Sequence, residues 1–278
     1  VETHGEQQWS HSEHVVAIRF AARTDRGLVR RVNEDSILAR PPVFLVADGM
    51  GGHAHGDRAS QAVAQVFEAE IAGGAPTDPD AVLAAVRRAN EVVHAIGEDQ
   101  FAGTTVAGVA LVVSRSEELQ WLIFNVGDSR VYEFADGALT QLSVDHSAVQ
   151  ELLDAGTISV DDVENHPERN VVTRAIGPDF EPQPDVWLRP AAGARTFVLC
   201  TDGLTKELDD AAIGRIVRES ELSAAATRLV DAALAGGGRD NVSAVVLEAT
   251  VERRAEPHRG ADADPEQLEH LMDTLPRN

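Results

Sequence analysis

The chain has 278 residues, 43% of them hydrophobic and 25% charged, with a formal net charge of -22 from 46 acidic and 24 basic side chains. This length buries one large core or two small ones, and the composition is that of an ordinary soluble domain. The negative field excludes nucleic acid as a natural partner, and the absence of an apolar run of about twenty residues excludes a conventional membrane helix in this sequence.

Residues 1–14 are polar and lack the apolar centre of a signal peptide, so a flexible lead-in is expected there. Residues 15–20, 43–47, 104–113, 121–126 and 130–134 are short apolar runs enriched in β-branched and aromatic side chains, which predicts strands. Between the second and third of these, Ala59, Val63, Val66, Phe67 and Ile71 recur at helical spacing. A second helix, starting near Asp80, carries Val82, Val86, Ala89, Val93 and Ile96 on one side. Glycines 73 and 74 stop the first helix, while Asp78 and Pro79 cap and open the second. Asp136-Gly137 predicts a tight hairpin turn, and short turns between successive strands imply antiparallel pairing.

Residues 145–182 are polar and irregular, with a short helical piece at 149–153, and are expected to cross the surface as a flap. A strand follows at 195–200, then helices at about 210–219 and 222–235, and a last strand at 242–247. The lone cysteine, Cys200, lies in the apolar run 195–200; it forms no internal disulfide, reads as a core residue and suits a reducing cytoplasm. From residue 251 the composition becomes that of a charged linker or tail, with room for a short amphipathic helix over 265–275. One domain over 15–250, an antiparallel sheet structure with helices outside, is the economical architecture.

The informative pattern is a set of aspartates at the ends of these strands: Asp35, Asp48 before Gly49, Asp128 after Gly127, Asp202 before Gly203, and Asp240 before Asn241. A single such aspartate is a turn former. Several at converging strand ends would repel one another unless hard divalent cations neutralised them, and without a compact Cys/His cluster Mg²⁺ or Mn²⁺ fits better than Zn²⁺. Two cations sharing a carboxylate hold a hydroxide and accept phosphoryl oxygens, the usual physical solution for phosphate ester hydrolysis. Arg30 is the candidate fork for the phosphate. The stretch Gly49-Met50-Gly51-Gly52 lacks the Gly-Lys-Ser/Thr ending of a nucleotide loop; its role is a sharp turn beside Asp48 that leaves a bare carbonyl for a metal. His53 and His55 follow it as loop histidines.

The ordered motifs Arg30-Arg31-Val32-Asn33-Glu34-Asp35, Asp48-Gly49-Met50-Gly51-Gly52-His53, Gly103-Thr104-Thr105 and Asn125-Val126-Gly127-Asp128-Ser129-Arg130 stand in the first half of the chain. Asp145-His146-Ser147, Val172-Thr173-Arg174-Ala175-Ile176-Gly177, Cys200-Thr201-Asp202-Gly203-Leu204 and Gly238-Arg239-Asp240-Asn241 stand in the second. Together they resemble the metal-dependent protein phosphatases of type 2C, specifically the bacterial serine/threonine phosphatases, over residues 24–247.

The resemblance implies an α+β, four-layer α-β-β-α sandwich with a binuclear Mn²⁺ or Mg²⁺ centre at one end. It implies that Asp48 bridges both ions, that Gly49 offers its carbonyl, and that Asp202 and Asp240 complete one ion. Asp35 or Glu34 attends the other ion, and both assignments stay open. Asp128 matches a ligand of a third, weaker ion, and Arg30 matches the arginine that clamps phosphate. The implied partners are phosphorylated proteins, substrates of a serine/threonine kinase and the kinase itself, acted on by a cytoplasmic monomer. Eukaryotic relatives carry a histidine directly after the Asp-Gly pair, assigned as general acid. Here Met50 stands at that position and its thioether donates no proton, a substitution that bacterial relatives share. The rival expectations are a catalytically silent regulatory module and a small-molecule phosphomonoesterase.

Overall fold

The computed structural model describes residues 1–51, 55–71, 73–97, 101–163, 165–178 and 181–254. In chain order the first half runs β1 (Glu2–His11), β2 (His14–Asp25), β3 (Asp35–Arg40), β4 (Val43–Met50), α1 (Gly56–Glu70), α2 (Pro79–Ile96), β5 (Gly103–Thr104), β6 (Val106–Val113) and β7 (Leu119–Val126). The second half runs β8 (Arg130–Ala135), β9 (Ala138–Gln141), α3 (Ala148–Asp154), α4 (Val160–Val163), β10 (Asp185–Pro190), β11 (Gly193–Cys200), α5 (Asp202–Thr205), α6 (Asp210–Arg218), α7 (Leu222–Gly236) and β12 (Val242–Arg253).

Two antiparallel sheets result. A front sheet has the order β1-β2-β12-β11-β8-β9, and a back sheet has the order β10-β7-β6-β4-β3 with β5 paired to β4. Their central strands, β4, β6, β7 and β12, are buried on both faces over most of their length, so they read as continuous apolar runs rather than alternating ones. In β4, Val43, Leu45 and Ala47 pack toward α1 and α2, whereas Phe44 and Val46 enter the layer between the sheets. In β12, Val245 and Leu247 face the inter-sheet layer, and Val242, Ala244 and Val246 face α6 and α7. The three apolar layers thus define the expected α-β-β-α sandwich. Phe67 of α1 stacks on Phe124 of β7 with ring centroids 5.3 Å apart, locking one helix layer to the back sheet.

Local signals act as expected at several boundaries. The Asp78 carboxylate accepts the Asp80 N–H at 2.6 Å and caps α2, with Pro79 in the first turn. Asp136 (φ 52°) and Gly137 (φ 79°) form the left-handed pair that turns β8 into β9.

Residues 1–14, expected to be a flexible lead-in, instead supply an edge strand. β1 pairs with β2 from Glu2↔Arg23 to His11↔His14. It is polar because most of it faces solvent; Trp9 packs against the inter-sheet core. The domain end expected near 250 moves to Arg253, because β12 stays paired with β2 to its last residue. The expected tail helix lies outside the described residues. In the segment expected as a flap, α3 is capped by Ser147, the bridge Ser147↔Val172 joins the segment's two arms to each other, and the bridge Thr104↔Ile176 ties it to the body. Cys200 is buried in β11, and burial pushes its thiol up to about 12, the state of an inert core residue.

Candidate active site

The two sheets end together at the pole where β3 and β12 begin and where β4, β7 and β11 finish. Register places Asp35 directly opposite Asp48 on neighbouring strands. Asp128 follows β7, Asp202 follows β11, and Asp240 stands two residues before β12. The fold therefore brings all five aspartates to one end.

Asp48, Asp35 and Asp240 are held by hydrogen bonds to neighbouring elements or residues. The backbone of Asp48 is clamped by Gly103-Thr104-Thr105. Its N–H donates to Thr105 Oγ1 at 2.9 Å, and its carbonyl accepts both the Thr105 N–H and Thr104 Oγ1 at 2.9 Å. Gly49 is required by sterics, since a Cβ there would lie 2.0 Å from the Gly56 carbonyl oxygen and 2.6 Å from that of Glu34. Asp35, 7% exposed, accepts hydroxyl hydrogen bonds from Thr201 at 2.8 Å and Ser243 at 2.6 Å through Oδ2. Asp240 accepts the Asn241 N–H at 2.9 Å. Asn241 then gathers the loop after β2: its Nδ2 donates to the carbonyls of Arg26 at 2.8 Å and Val32 at 2.9 Å, and its Oδ1 accepts the Glu34 N–H at 2.7 Å.

The electrostatics are those of crowded acids. Burial, then Asp35, Asp202, Asp128 and Asp240, raise the pKa of Asp48 well above the carboxylate range. Burial pushes Asp35 up to about 7 against the two hydroxyl hydrogen bonds that lower it. Asp128 is also pushed up to about 7, by burial first and then by Asp202 and Asp145, with Lys206 opposing. Glu34 is raised by burial, with Arg30 pulling the other way.

Two cationic side chains stand among these acids. Lys206 Nζ lies 2.5 Å from the Asp202 carboxylate and 3.2 Å from that of Asp240. Arg30 Nη2 lies 2.9 Å from Asp240. Burial disfavours the Lys206 ammonium, but Asp202 and Asp240 outweigh it and hold its pKa above the ordinary lysine value.

Oδ1 of Asp35 and Oδ1 of Asp202 are buried and accept no hydrogen bond. A buried carboxylate oxygen with no donor is costly, and an oxygen-seeking divalent cation is the partner that suits it. Among the described residues no three acidic, histidine or cysteine side chains are gathered closely enough to enclose an ion by themselves. The donor chemistry nevertheless fits Mn²⁺ or Mg²⁺: carboxylate and carbonyl oxygen atoms and several formal charges.

Asp145 anchors the start of the segment over 145–182. It takes a forked contact from Arg130, with Nε at 2.9 and 3.0 Å and Nη2 at 2.7 Å, and a further hydrogen bond from Gln141 at 2.9 Å. His146 Nδ1 accepts the Gly127 N–H at 3.1 Å, and its Nε2 lies 3.2 Å from Asp185, so this ring joins the segment to the turn that carries Asp128. Burial lowers the His146 pKa and favours the neutral ring. Sequence reasoning quoted this histidine in a motif without a role, and it did not single out Lys206, Thr201 or Ser243. Only Lys206 has a local signal, four residues beyond Asp202 in a helical stretch. His53 lies outside the described residues; the carbonyl of His55 accepts the Ala59 N–H and starts α1.

A two-sheet sandwich that converges five aspartates on one pole, beside an arginine, is the α-β-β-α architecture of the type 2C phosphatase class. Comparison with known proteins makes the class specific: the family described as protein phosphatase 2C matches residues 31–236, and the chain belongs to that family. It is 37% identical over 241 residues to the serine/threonine protein phosphatase PstP of Mycobacterium tuberculosis, covering 84% of this chain and 45% of that protein. The chain thus spans less than half the length of that relative. It is 34% identical over 244 residues to the serine/threonine phosphatase stp of Listeria innocua, covering 81% of this chain and 94% of that one. The catalytic domain of a serine/threonine protein phosphatase PstP in complex with 2 manganese ions superposes with a TM-score of 0.73 at 35% identity, covering 84% of this chain and 99% of that one.

Proposed function

We propose that this chain hydrolyses phosphoserine and phosphothreonine in proteins, using two Mn²⁺ or Mg²⁺ ions and a third, weaker one beside Asp128. The observation that carries this reading is the mutual repulsion of the carboxylates gathered around Asp48, together with the buried, orphaned oxygens on Asp35 and Asp202. Such a cluster costs the fold free energy and has a use only where cations enter it. Asp48 would bridge the ions, Gly49 would add its carbonyl, Asp202 and Asp240 would hold one ion, and Asp35 or Glu34 would attend the other. When bound, the ions supply Lewis acidity toward phosphoryl oxygens and a nucleophile from water at neutral pH.

The chain's own residues do the rest. Arg30 is exposed beside Asp240, and its planar fork would grip two phosphoryl oxygens and offset the charge that grows on them. The threonines at 104 and 105 keep the Asp48 backbone fixed, so its carboxylate is aimed before substrate arrives. The segment over 145–182, anchored through Asp145 and His146, would govern access to the site as a flap. Met50 donates no proton, so the leaving oxygen takes its proton from water or another side chain.

Phosphorylated substrates of a serine/threonine kinase, and that kinase, are the proposed partners, in a cytoplasmic setting that keeps Cys200 reduced. No helix among the described residues is long and apolar enough to cross a membrane. A silent regulatory module or a small-molecule phosphomonoesterase could use the same scaffold, and no observation on this chain favours either.

Calorimetric titration with Mn²⁺, paired with phosphate release from a phosphothreonine peptide, tests the assignment. Asp48→Asn and Asp240→Asn are expected to abolish turnover and weaken or remove an ion while the fold survives, because lost carboxylate repulsion offsets the lost ligand. Unchanged stoichiometry and affinity in both variants would rule it out.

A further inference from the structure

The loop over 26–34 is fixed to the body along its length. Gly27 sits at φ 78°, where a Cβ would meet the Asp240 carbonyl oxygen at 2.0 Å, and the Leu28 N–H donates to the Gly238 carbonyl at 2.8 Å. Asn241 holds the same loop at Arg26, Val32 and Glu34. Backbone so pinned needs no apolar side chains pointing outward for its own stability. Yet Leu28 is 67% exposed, Val29 67% and Val32 49%. They flank Arg30, and in a chain of net charge -22 the stretch from Arg26 to Asn33 contains Arg26, Arg30 and Arg31 and no acid.

From this we infer that Leu28, Val29 and Val32 form a docking rim for the polypeptide on either side of the phosphorylated residue, selecting substrates with an aliphatic side chain close to it. The inference rests on the phosphatase reading above. The occupant follows from geometry and charge. If Arg30 takes the phosphate, a substrate strand advancing about 3.3 Å per residue puts its nearest neighbours over the side chains adjacent to Arg30. Basic character at 26 and 31 favours a phosphorylated, and thus anionic, visitor over the protein's own acidic surface. Because the loop is already rigid, little ordering entropy opposes the contact. Three aliphatic side chains on a pinned loop beside a phosphate fork are the arrangement expected of a reader of sequence context, with the arginine supplying the anchor and the rim the discrimination.

The test compares two phosphothreonine peptides of equal length and charge, one with leucine or valine beside the phosphorylated residue and one with serine in those places. Release of phosphate in Mn²⁺ gives kcat/KM for each, and p-nitrophenyl phosphate serves as an ester with no flanking residues. The wild-type chain is expected to prefer the aliphatic peptide by roughly five- to tenfold, the effect of partly burying one such side chain. Val29→Ser and Val32→Ser, both at exposed positions, are expected to bring that ratio near unity while p-nitrophenyl phosphate turnover stays the same. Equal kcat/KM for the two peptides in the wild type, or a ratio that survives both substitutions, overturns the rim alone. Failure to cleave any ester, p-nitrophenyl phosphate included, overturns the phosphatase reading and the rim with it.

Discussion

Lys206 offers a direct probe of how the acidic pole is kept folded before ions arrive. Its ammonium touches the carboxylates of both Asp202 and Asp240, the pair assigned to one cation, and 37% of its side chain is exposed. A divalent ion entering that pair must displace the ammonium or share the carboxylates with it. A charge-assisted hydrogen bond contributes about 1.5–3 kcal/mol when sheltered, and an exposed ion pair about 0–1 kcal/mol. With over a third of the side chain in water, the two contacts together are taken at the low end, about 1.4 kcal/mol, or a factor of about ten in an equilibrium constant. Lys206→Met keeps the length and removes the charge. Calorimetry should then record Mn²⁺ binding about tenfold tighter, and the metal-free variant should melt lower by roughly 2–5 °C, since the acids lose their internal counter-ion. The two effects have opposite signs, which separates competition from general damage. A folded Lys206→Met protein that binds Mn²⁺ no better than the wild type would refute the argument and leave Lys206 as a companion of the ion rather than its rival.

Arg30→Lys keeps the charge but loses the paired donors, so kcat/KM on a phosphothreonine peptide is expected to fall on the order of tenfold to a hundredfold; a variant equal to the wild type in kcat and KM would move attention to Arg31. Asp128→Ala should retain both central ions by calorimetry yet turn over more slowly at every Mn²⁺ concentration, and wild-type rates throughout would count against a working third ion. The metal-free protein should change stability with pH in the direction opposite to an ordinary salt-bridged domain. Asp35 and Asp128 have folded-state values of about 7 against ordinary values of 3.8, so their contribution is full below the lower value and is lost as pH rises through the upper one. Urea denaturation in chelator should therefore show stability rising on acidification from about pH 7 to pH 5, and saturating Mn²⁺ should reverse that slope, because cations favour the ionised carboxylates.

What the chain displays along its length was readable, and what depends on remote partners was not. Strands β4, β6, β7, β11 and β12 are buried on both faces and announce themselves as apolar runs, and the aspartates at their ends could be picked out by position. β1 escaped notice because an edge strand with little to bury has no apolar pattern. β3 and β10 are short edge strands of the back sheet, each carrying only a few inward side chains, such as Ile37 and Trp187. In the site, the hydroxyls of Thr201 and Ser243 reach Asp35 across 166 and 208 residues of chain, so only the finished sheets bring them together. Lys206 carries no distinctive signal, because a lysine four residues after an aspartate is ordinarily a solvent-facing helix pair.

The inter-sheet layer has a consequence that reaches beyond packing. Asp35 and Asp48 belong to the back sheet, Thr201 and Ser243 extend from the front one, and Asp202 and Asp240 leave from the ends of front-sheet strands. The thickness of the apolar filling between the sheets, set by side chains such as Phe44, Ile123, Phe197 and Leu247, is therefore the gauge that spaces the two halves of the acidic pole. Interiors packed to crystal density transmit small changes of volume as shifts of whole elements. Trimming Ile123 to valine would remove one methylene from the inter-sheet layer and would change the gap that the proposed ions would have to span. Under the two-ion reading proposed above, the spacing offered to the ions would be a property of the greasy centre as much as of the charged rim.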